Sequence, residues 1–243
     1  MNKKILVIIP AFNEEGAIVA TVRDVRSLPF SVEVLVVNDG SRDRTAAVAA
    51  DAGAVVVSLP FNLGIGGAVQ TGYRYALDRG FDIAVQVDGD GQHDVAYLKR
   101  LVDPVLSGLV DMAIGSRFLS DEKGFRSSFF RRVGIRFFRR LIAFLTGFQA
   151  TDPTSGFRAC NARLIRIFAG YYPSDFPEPE SIVVARRLGA TLCEVPVVMR
   201  PRRSGKSSIG RIRSPYYMIK VTGAILLHMF RDRKVYGPWT SAS

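Results

Sequence analysis

Cysteine is scarce: Cys160 and Cys193 are the 2 present in 243 residues, far apart and without CxxC or Cys/His spacing. That excludes a disulfide framework and a thiolate zinc site, and it fits a reducing compartment. Histidine also occurs twice and tryptophan once. Long uncharged runs are missing too. Ala52 to Tyr73 alone is long enough to reach across a bilayer, and Pro60, Asn62, Gln70 and several glycines break it, so no transmembrane helix is predicted. The apolar start, Met1 to Phe12, is followed at once by Asn13, Glu14 and Glu15 rather than a small-residue cleavage site, and it reads as a first strand instead of a leader. A composition of 48% hydrophobic and 23% charged residues excludes disorder and a fibrous repeat.

Acidic residues are short in one half only. Residues 1–120 hold 11 basic and 14 acidic side chains, net −3, whereas residues 121–243 hold 22 and 8, net +14. The whole excess of the +11 formal charge is therefore C-terminal. Such asymmetry points to a polyanion or an anionic surface: nucleic acid, phosphorylated ligands or membrane headgroups.

Three apolar runs, Ile5–Ile9, Val32–Val37 and Ile83–Val87, are near-continuous, the pattern of strands buried on both faces of a mainly parallel sheet. Helical patterns separate them at Glu15–Arg26, Ser41–Ala52 and Gly66–Arg79, and Ala54–Ser58 supplies a further short strand. This predicts an open α/β sheet, whose ligands gather outside the carboxyl ends of the strands. The segments there are polar: Pro10-Ala-Phe-Asn-Glu-Glu15, Asn38-Asp-Gly-Ser-Arg-Asp43 and Asp88-Gly-Asp-Gly-Gln-His-Asp94. Gly64-Ile-Gly66-Gly-Ala-Val69 partly matches a dinucleotide fingerprint, but it follows a later strand and ends in valine. It is either a glycine-permitted turn into a helix or a close approach by phosphate or sugar.

Asp88 and Asp90 stand at i and i+2 on a glycine-loosened loop, so both can turn toward one hard cation shared with ligand phosphates, with Gln92 adding a carbonyl oxygen. Mg²⁺ or Mn²⁺ suits this oxygen-rich set, and a cation there would neutralise a departing nucleoside diphosphate. The alternative is a solvated turn. His93 is more simply structural than catalytic.

Pro10-Ala-Phe-Asn-Glu, Asn38-Asp-Gly-Ser, Asp88-Gly-Asp-Gly-Gln-His and Asp152-Pro-Thr-Ser-Gly-Phe-Arg158 occur in that order. Over roughly residues 4–210 they resemble family 2 glycosyltransferases of the dolichol-phosphate mannosyltransferase type. The resemblance implies a GT-A fold over residues 1–210, with a nucleotide-sugar half (1–120) and an acceptor half (121–210), followed by a membrane-interface helix and tail (211–243). It implies that Pro10, Ala11, Asn13, Glu15 and Asp39 line the nucleoside pocket and that Asp88, Asp90 and Gln92 hold the metal. Asn13 and Ser41 have a second reading as caps of the helices that follow. The resemblance also makes Asp152 a candidate for the reaction centre, orienting a lipid phosphate or acting as base toward a hydroxyl. Glu178 and Glu180 offer a second acidic candidate, Glu180 foremost, on a segment that Pro177 and Pro179 are expected to hold extended before a helix at Ser181–Leu188. Arg117, Arg131, Arg132 and Arg202 match the positions that would grip an acceptor phosphate.

The basic half contains an amphipathic pattern. Arg126, Arg131, Arg132, Arg136, Arg139 and Arg140 interleave with Phe130, Val133, Phe137, Leu141 and Phe144, an apolar stripe opposite most of the arginines. It predicts attachment to an anionic membrane surface or, alternatively, packing on the core with a solvated basic face. Pro215–Phe230 is apolar nearly all round, with Lys220 its one charge, and at 16 residues it is too short to span. The expected protein moves a sugar from a nucleotide diphosphate sugar to a polyprenyl phosphate with inversion, peripherally at the cytoplasmic membrane face, with an integral membrane protein as a further candidate partner. A saccharide hydroxyl acceptor is the nearest rival. Nucleic-acid binding would leave the three acidic loops without purpose, so it is not expected.

Overall fold

The computed structural model describes residues 3–119, 129–200, 215–231 and 236, with the side chains of 129–133 and 215–217 outside the described set. Among these residues, seven strands form one sheet in the order β3-β2-β1-β4-β6-β5-β7. They are β1 (Ile5–Ala11), β2 (Glu33–Asn38), β3 (Val55–Ser58), β4 (Ile83–Gln86), β5 (Met112–Ser116), β6 (Arg158–Asn161) and β7 (Leu192–Pro196). All pairings are parallel except those of β6, which runs against β4 and β5. The open, mostly parallel α/β sheet expected from the apolar runs is the observed architecture. Every residue of β1 is buried, as a strand covered on both faces requires.

Alternate residues of β1 feed two cores. Leu6 and Ile8 join a cluster with α3 (Gly64–Asp78), α5 (Phe129–Thr146), α6 (Ala162–Gly170), α7 (Pro177–Arg187) and α8 (Pro215–Phe230). Ile5, Val7 and Ile9 join a cluster on the opposite face with α1 (Ile18–Arg26), α2 (Thr45–Asp51) and α4 (Leu98–Leu106). The period-2 geometry of the strand therefore builds a helix–sheet–helix sandwich.

Several helix starts differ from expectation, the second helix beginning at Thr45 rather than Ser41. The first helix begins at Ile18, leaving Glu14 and Glu15 in the loop. The segment expected to be extended, Pro177–Glu180, is the first turn of α7. Proline suits that place, because its fixed φ is already helical and the missing N–H would have had no partner there. Glu178 and Glu180 in the same turn complement the helix dipole.

Gly64 has φ +80 and opens α3. The close approach at Gly66 is made by the chain itself: a Cβ there would stand 2.3 Å from the Pro173 carbonyl oxygen and 2.5 Å from Ser174 Cα. Because these neighbours are backbone, they cannot rotate away. Gly66→Ala is expected to destabilise the fold by about 1–3 kcal/mol, read as a lower urea midpoint at unchanged slope; an unchanged midpoint would contradict this packing.

Candidate functional site

The sheet's direction decides where the polar loops go. The loops after β1, β2, β4, β5 and β7 leave from the carboxyl edge, and antiparallel β6 enters from that edge, bringing Asp152–Phe157 to it. Pro10 and Ala11 lie buried at the end of β1.

The first two loops lock to each other. Asn13, with φ 54, donates its backbone N–H to Ser41 Oγ (2.9 Å) and accepts at Oδ1 from the Arg42 N–H (2.9 Å). Glu15 donates its N–H to Asp43 Oδ2 (3.2 Å) and accepts from the Arg44 N–H (2.9 Å). Neither Asn13 nor Ser41 caps the following helix, for α1 and α2 have no side-chain cap. Asp39 is buried, and its two oxygens accept from the N–H groups of Leu63 (2.7 Å) and Gly64 (2.9 Å), which pins the entry to α3.

The loop after β4 carries the acidic pair. Asp90 is buried and accepts at Oδ1 from the Gln92 N–H (2.9 Å), while the Asp88 side chain remains 38% exposed. His93 is buried and stacked on Phe157 at 4.9 Å, and its Nδ1 accepts from the Asp88 N–H at 3.0 Å. A neutral ring accepting at Nδ1 carries its proton on Nε2, which lies 3.5 Å from Asp88 Oδ2. His93 thus braces the acidic loop, in keeping with the structural reading. Among the described residues no group of three or more His, Cys, Asp or Glu forms a metal cage. A part-exposed carboxylate, Asp88, two positions from a buried one, Asp90, nevertheless suits Mg²⁺ or Mn²⁺, because Mg²⁺ keeps waters and substrate phosphates in most of its coordination positions. By that donor chemistry the residues fit a divalent cation shared with a ligand.

On the acceptor side, Asp152 and Arg117 form a buried bidentate pair: Nε to Oδ2 and Nη2 to Oδ1, both 2.6 Å, with side chains 0% and 6% exposed. Arg117 also donates to Thr154 Oγ1 (3.0 Å), and Glu194 of β7 accepts the N–H groups of Thr151 and Asp152 at 2.8 Å. This loop abuts the acidic one, since a Cβ on Gly156 would stand 3.1 Å from Asp88 Oδ1.

The two glutamates of α7 diverge. Glu180 is buried and meets His228 Nε2 of α8 at 2.7 Å, and His228 Nδ1 lies 3.2 Å from the Tyr236 hydroxyl. Glu178 instead feels Asp88 and Arg158: burial pushes its carboxyl up from the usual 4.5, Arg158 opposes that, and the charges of Asp88 and Glu180 add to it. Arg131 and Arg132 lie on α5 with side chains outside the described residues, as do Arg126 and Arg202 altogether. Sequence reasoning gave no role to Glu194, His228 or Arg158: Glu194 and His228 are lone polar residues that meet Thr151, Asp152 and Glu180 more than 40 positions away, and Arg158, though it ends a quoted motif, reaches Ser181 on α7, which no local spacing marks.

A family model for glycosyl transferase family 2 matches residues 6–168. The chain belongs to that family. It is a glycosyltransferase, and the GT-A fold implied by its ordered motifs is present. A protein of Methanocaldococcus jannaschii, MJ1222, is 36% identical over 81% of this chain and 82% of its own. Undecaprenyl-phosphate mannosyltransferase of Micrococcus luteus is 31% identical over 85% and 87%. Glucosyl-3-phosphoglycerate synthase from Mycobacterium tuberculosis, solved with Mn²⁺, UDP-glucose and phosphoglyceric acid, superposes with a TM-score of 0.72 at 22% identity, covering 95% of this chain and 81% of that one.

Two outcomes follow for this glycosyltransferase. Arg117→Met strands a buried carboxylate and should cost about 3–5 kcal/mol, with Asp152→Asn in the same chain restoring part of it by urea titration. In metal-free protein, Glu178 binds its proton more tightly folded than unfolded, so its contribution is full below about pH 4.5 and declines as pH rises through the higher folded value. Glu178→Gln should therefore gain stability relative to wild type on going from pH 4 to pH 8; a parallel pair of pH curves would refute the assignment.

Proposed function

We propose that this enzyme transfers a sugar from a nucleotide diphosphate sugar to a polyprenyl phosphate, with inversion, while attached to the cytoplasmic face of a membrane. The observation that carries the reading is the adjacency of an acidic loop, Asp88 to Asp90, and an arginine-bearing acceptor loop at one sheet edge. The relative from Micrococcus luteus is named for undecaprenyl phosphate, and the superposed synthase was solved with Mn²⁺ and a UDP-sugar.

Asp88 and Asp90, with Gln92, would hold Mg²⁺ or Mn²⁺, which when bound neutralises charge on the leaving diphosphate. Pro10, Ala11, Asn13, Glu15 and Asp39 would shape the nucleoside pocket, its loops stiffened by the cross-bonds described above. Arg117, with Arg131, Arg132 and Arg202, would supply cations for the acceptor phosphate. A phosphate monoester is largely ionised at neutral pH, its second pKa being about 6, so the reaction needs no base, and Asp152 serves by orienting Arg117. Glu180, paired with His228, ties α7 to α8 and thereby holds the turn carrying Glu178.

The outer surface favours a membrane-bound acceptor. The helix α5 buries Ile135, Phe138 and Ile142 and turns Phe137 and Phe144 outward beside Arg136, Arg139 and Arg140. Phe137 and Phe144 of the stripe read from the sequence lie exposed, while Leu141 of that stripe is partly buried against the core. Likewise α8 buries Val221, Ile225 and His228 and exposes Ile219, Leu227 and Phe230. No helix of the described residues is long and apolar enough to cross a membrane. An apolar surface rimmed with arginine suits the headgroup boundary of an anionic bilayer.

A saccharide hydroxyl acceptor is the second reading, favoured by the elevated carboxyl of Glu178, which would suit a base. A donor panel with polyprenyl phosphate, analysed by mass spectrometry after lipid extraction, separates the two. Lipid-linked sugar is expected, falling by about 10²–10³-fold in Asp90→Asn. Water-soluble product alone would favour the hydroxyl, and unchanged transfer by Asp90→Asn would remove the metal assignment.

A further inference from the structure

Arg158 ends the Asp152-to-Arg158 motif and has so far no task, yet it is among the largest fully buried side chains of the protein, at 1% exposure. Its guanidinium spans two elements. Nε donates to the Ser155 carbonyl (2.7 Å) and Nη2 to the Pro153 carbonyl (3.3 Å), both in the turn that follows Asp152. Nη1 donates to Ser181 Oγ (2.6 Å) on α7, and that hydroxyl in turn donates to the Glu178 carbonyl (3.2 Å). These acceptors are carbonyls and a hydroxyl, none of them charged.

Burying a guanidinium whose direct acceptors are all neutral is costly, and the Glu178 carboxyl nearby offsets only part of that cost. What an apolar side chain cannot do is hold the turn at two carbonyls and tie it to α7 through a third bond. The turn so fixed carries Asp152, whose carboxylate aligns Arg117 through two 2.6 Å bonds, and Thr154, which accepts from the same arginine. From the other side Glu194 holds the N–H groups of Thr151 and Asp152. We infer that Arg158 is a positioning residue for sugar transfer: it fixes the Pro153–Ser155 turn against the first turns of α7 and so sets where Asp152 holds the Arg117 guanidinium relative to the acceptor phosphate. This rests on the assignment of Arg117 to the acceptor phosphate in the proposed function.

Steady-state transfer by the full-length enzyme, with donor and polyprenyl phosphate varied separately, tests it. Arg158→Lys keeps the charge but loses the three-way fork, and Ser181→Ala removes one of the three anchors while leaving Arg158 in place. Misplacement of a binding group by about 1 Å can cost on the order of 10²-fold, so Arg158→Lys should lower kcat/KM for the acceptor by roughly that factor, chiefly through KM, with donor KM within about twofold of wild type. Ser181→Ala should shift the acceptor KM in the same direction by less. A merely structural role would instead lower the active fraction and leave both KM values alone, and that pattern in folded Arg158→Lys, or in Ser181→Ala if the lysine variant does not fold, would overturn the inference. Wild-type enzyme that makes no lipid-linked product with any donor would overturn the proposed function, a different failure from unchanged acceptor KM in an active enzyme.

Discussion

Because β6 runs against its neighbours, its amino end rather than its carboxyl end reaches the edge where the parallel strands finish. Everything at the site depends on that reversal. Were β6 parallel, the Asp152-to-Arg158 segment would leave from the far side of the sheet, and Asp152 could not meet Arg117 at the end of β5. Hydrogen bonding to both β4 and β5 holds the strand in register, Arg158 opposite Gln86 on one side and Ile114 on the other. The acidic loop after β4 and the arginine-bearing loop after β5 are consequently brought together across a single intervening strand.

Buried charge is spent unevenly around this edge. Asp152 and Arg117 are desolvated but joined by a bidentate bond, the arrangement in which a buried pair is best compensated. Glu180 meets His228 at the junction of α7 and α8, and one of its oxygens has no hydrogen-bond partner among the described residues. Glu178 keeps a proton more readily than an ordinary carboxyl because burial outweighs the nearby Arg158. By contrast, Asp88 stays partly in water, as a ligand-facing carboxylate must if it is to exchange solvent for a cation and a diphosphate.

The same division runs through the helices. Helices α1 to α4 turn their apolar stripes mainly inward, with Ile65 and Leu77 of α3 left exposed, whereas α5 and α8 use one stripe for packing and leave a second one outside. An apolar face that the fold does not consume is available to a partner or a bilayer, and the arginines beside it set the sign of the surface it would meet.

Much of this was legible from residues alone. Near-continuous apolar runs in β1, β2 and β4 announce strands covered on both faces, and the polar residues after them mark the ligand edge, because strand burial and side-chain period are local properties. The charge division near residue 120 is likewise a fact of composition. Other features depend on who meets whom in three dimensions. Asn13 and Ser41 look like helix caps in one dimension but hold two loops together. The glycine run at Gly64 to Gly67 resembles a phosphate turn, yet Gly66 makes room for the backbone at Pro173 and Ser174. Which apolar residues of α5 face inward is not decided by spacing, since Ile135, Phe138 and Ile142 recur at helical intervals just as Phe137 and Phe144 do. Pairings such as Arg117 with Asp152, Glu180 with His228 and Arg158 with Ser181 join residues 23 to 48 positions apart. Local periodicity determines strands and helices; only the packing of those elements decides which polar side chains lose water, and therefore which of them must find one another.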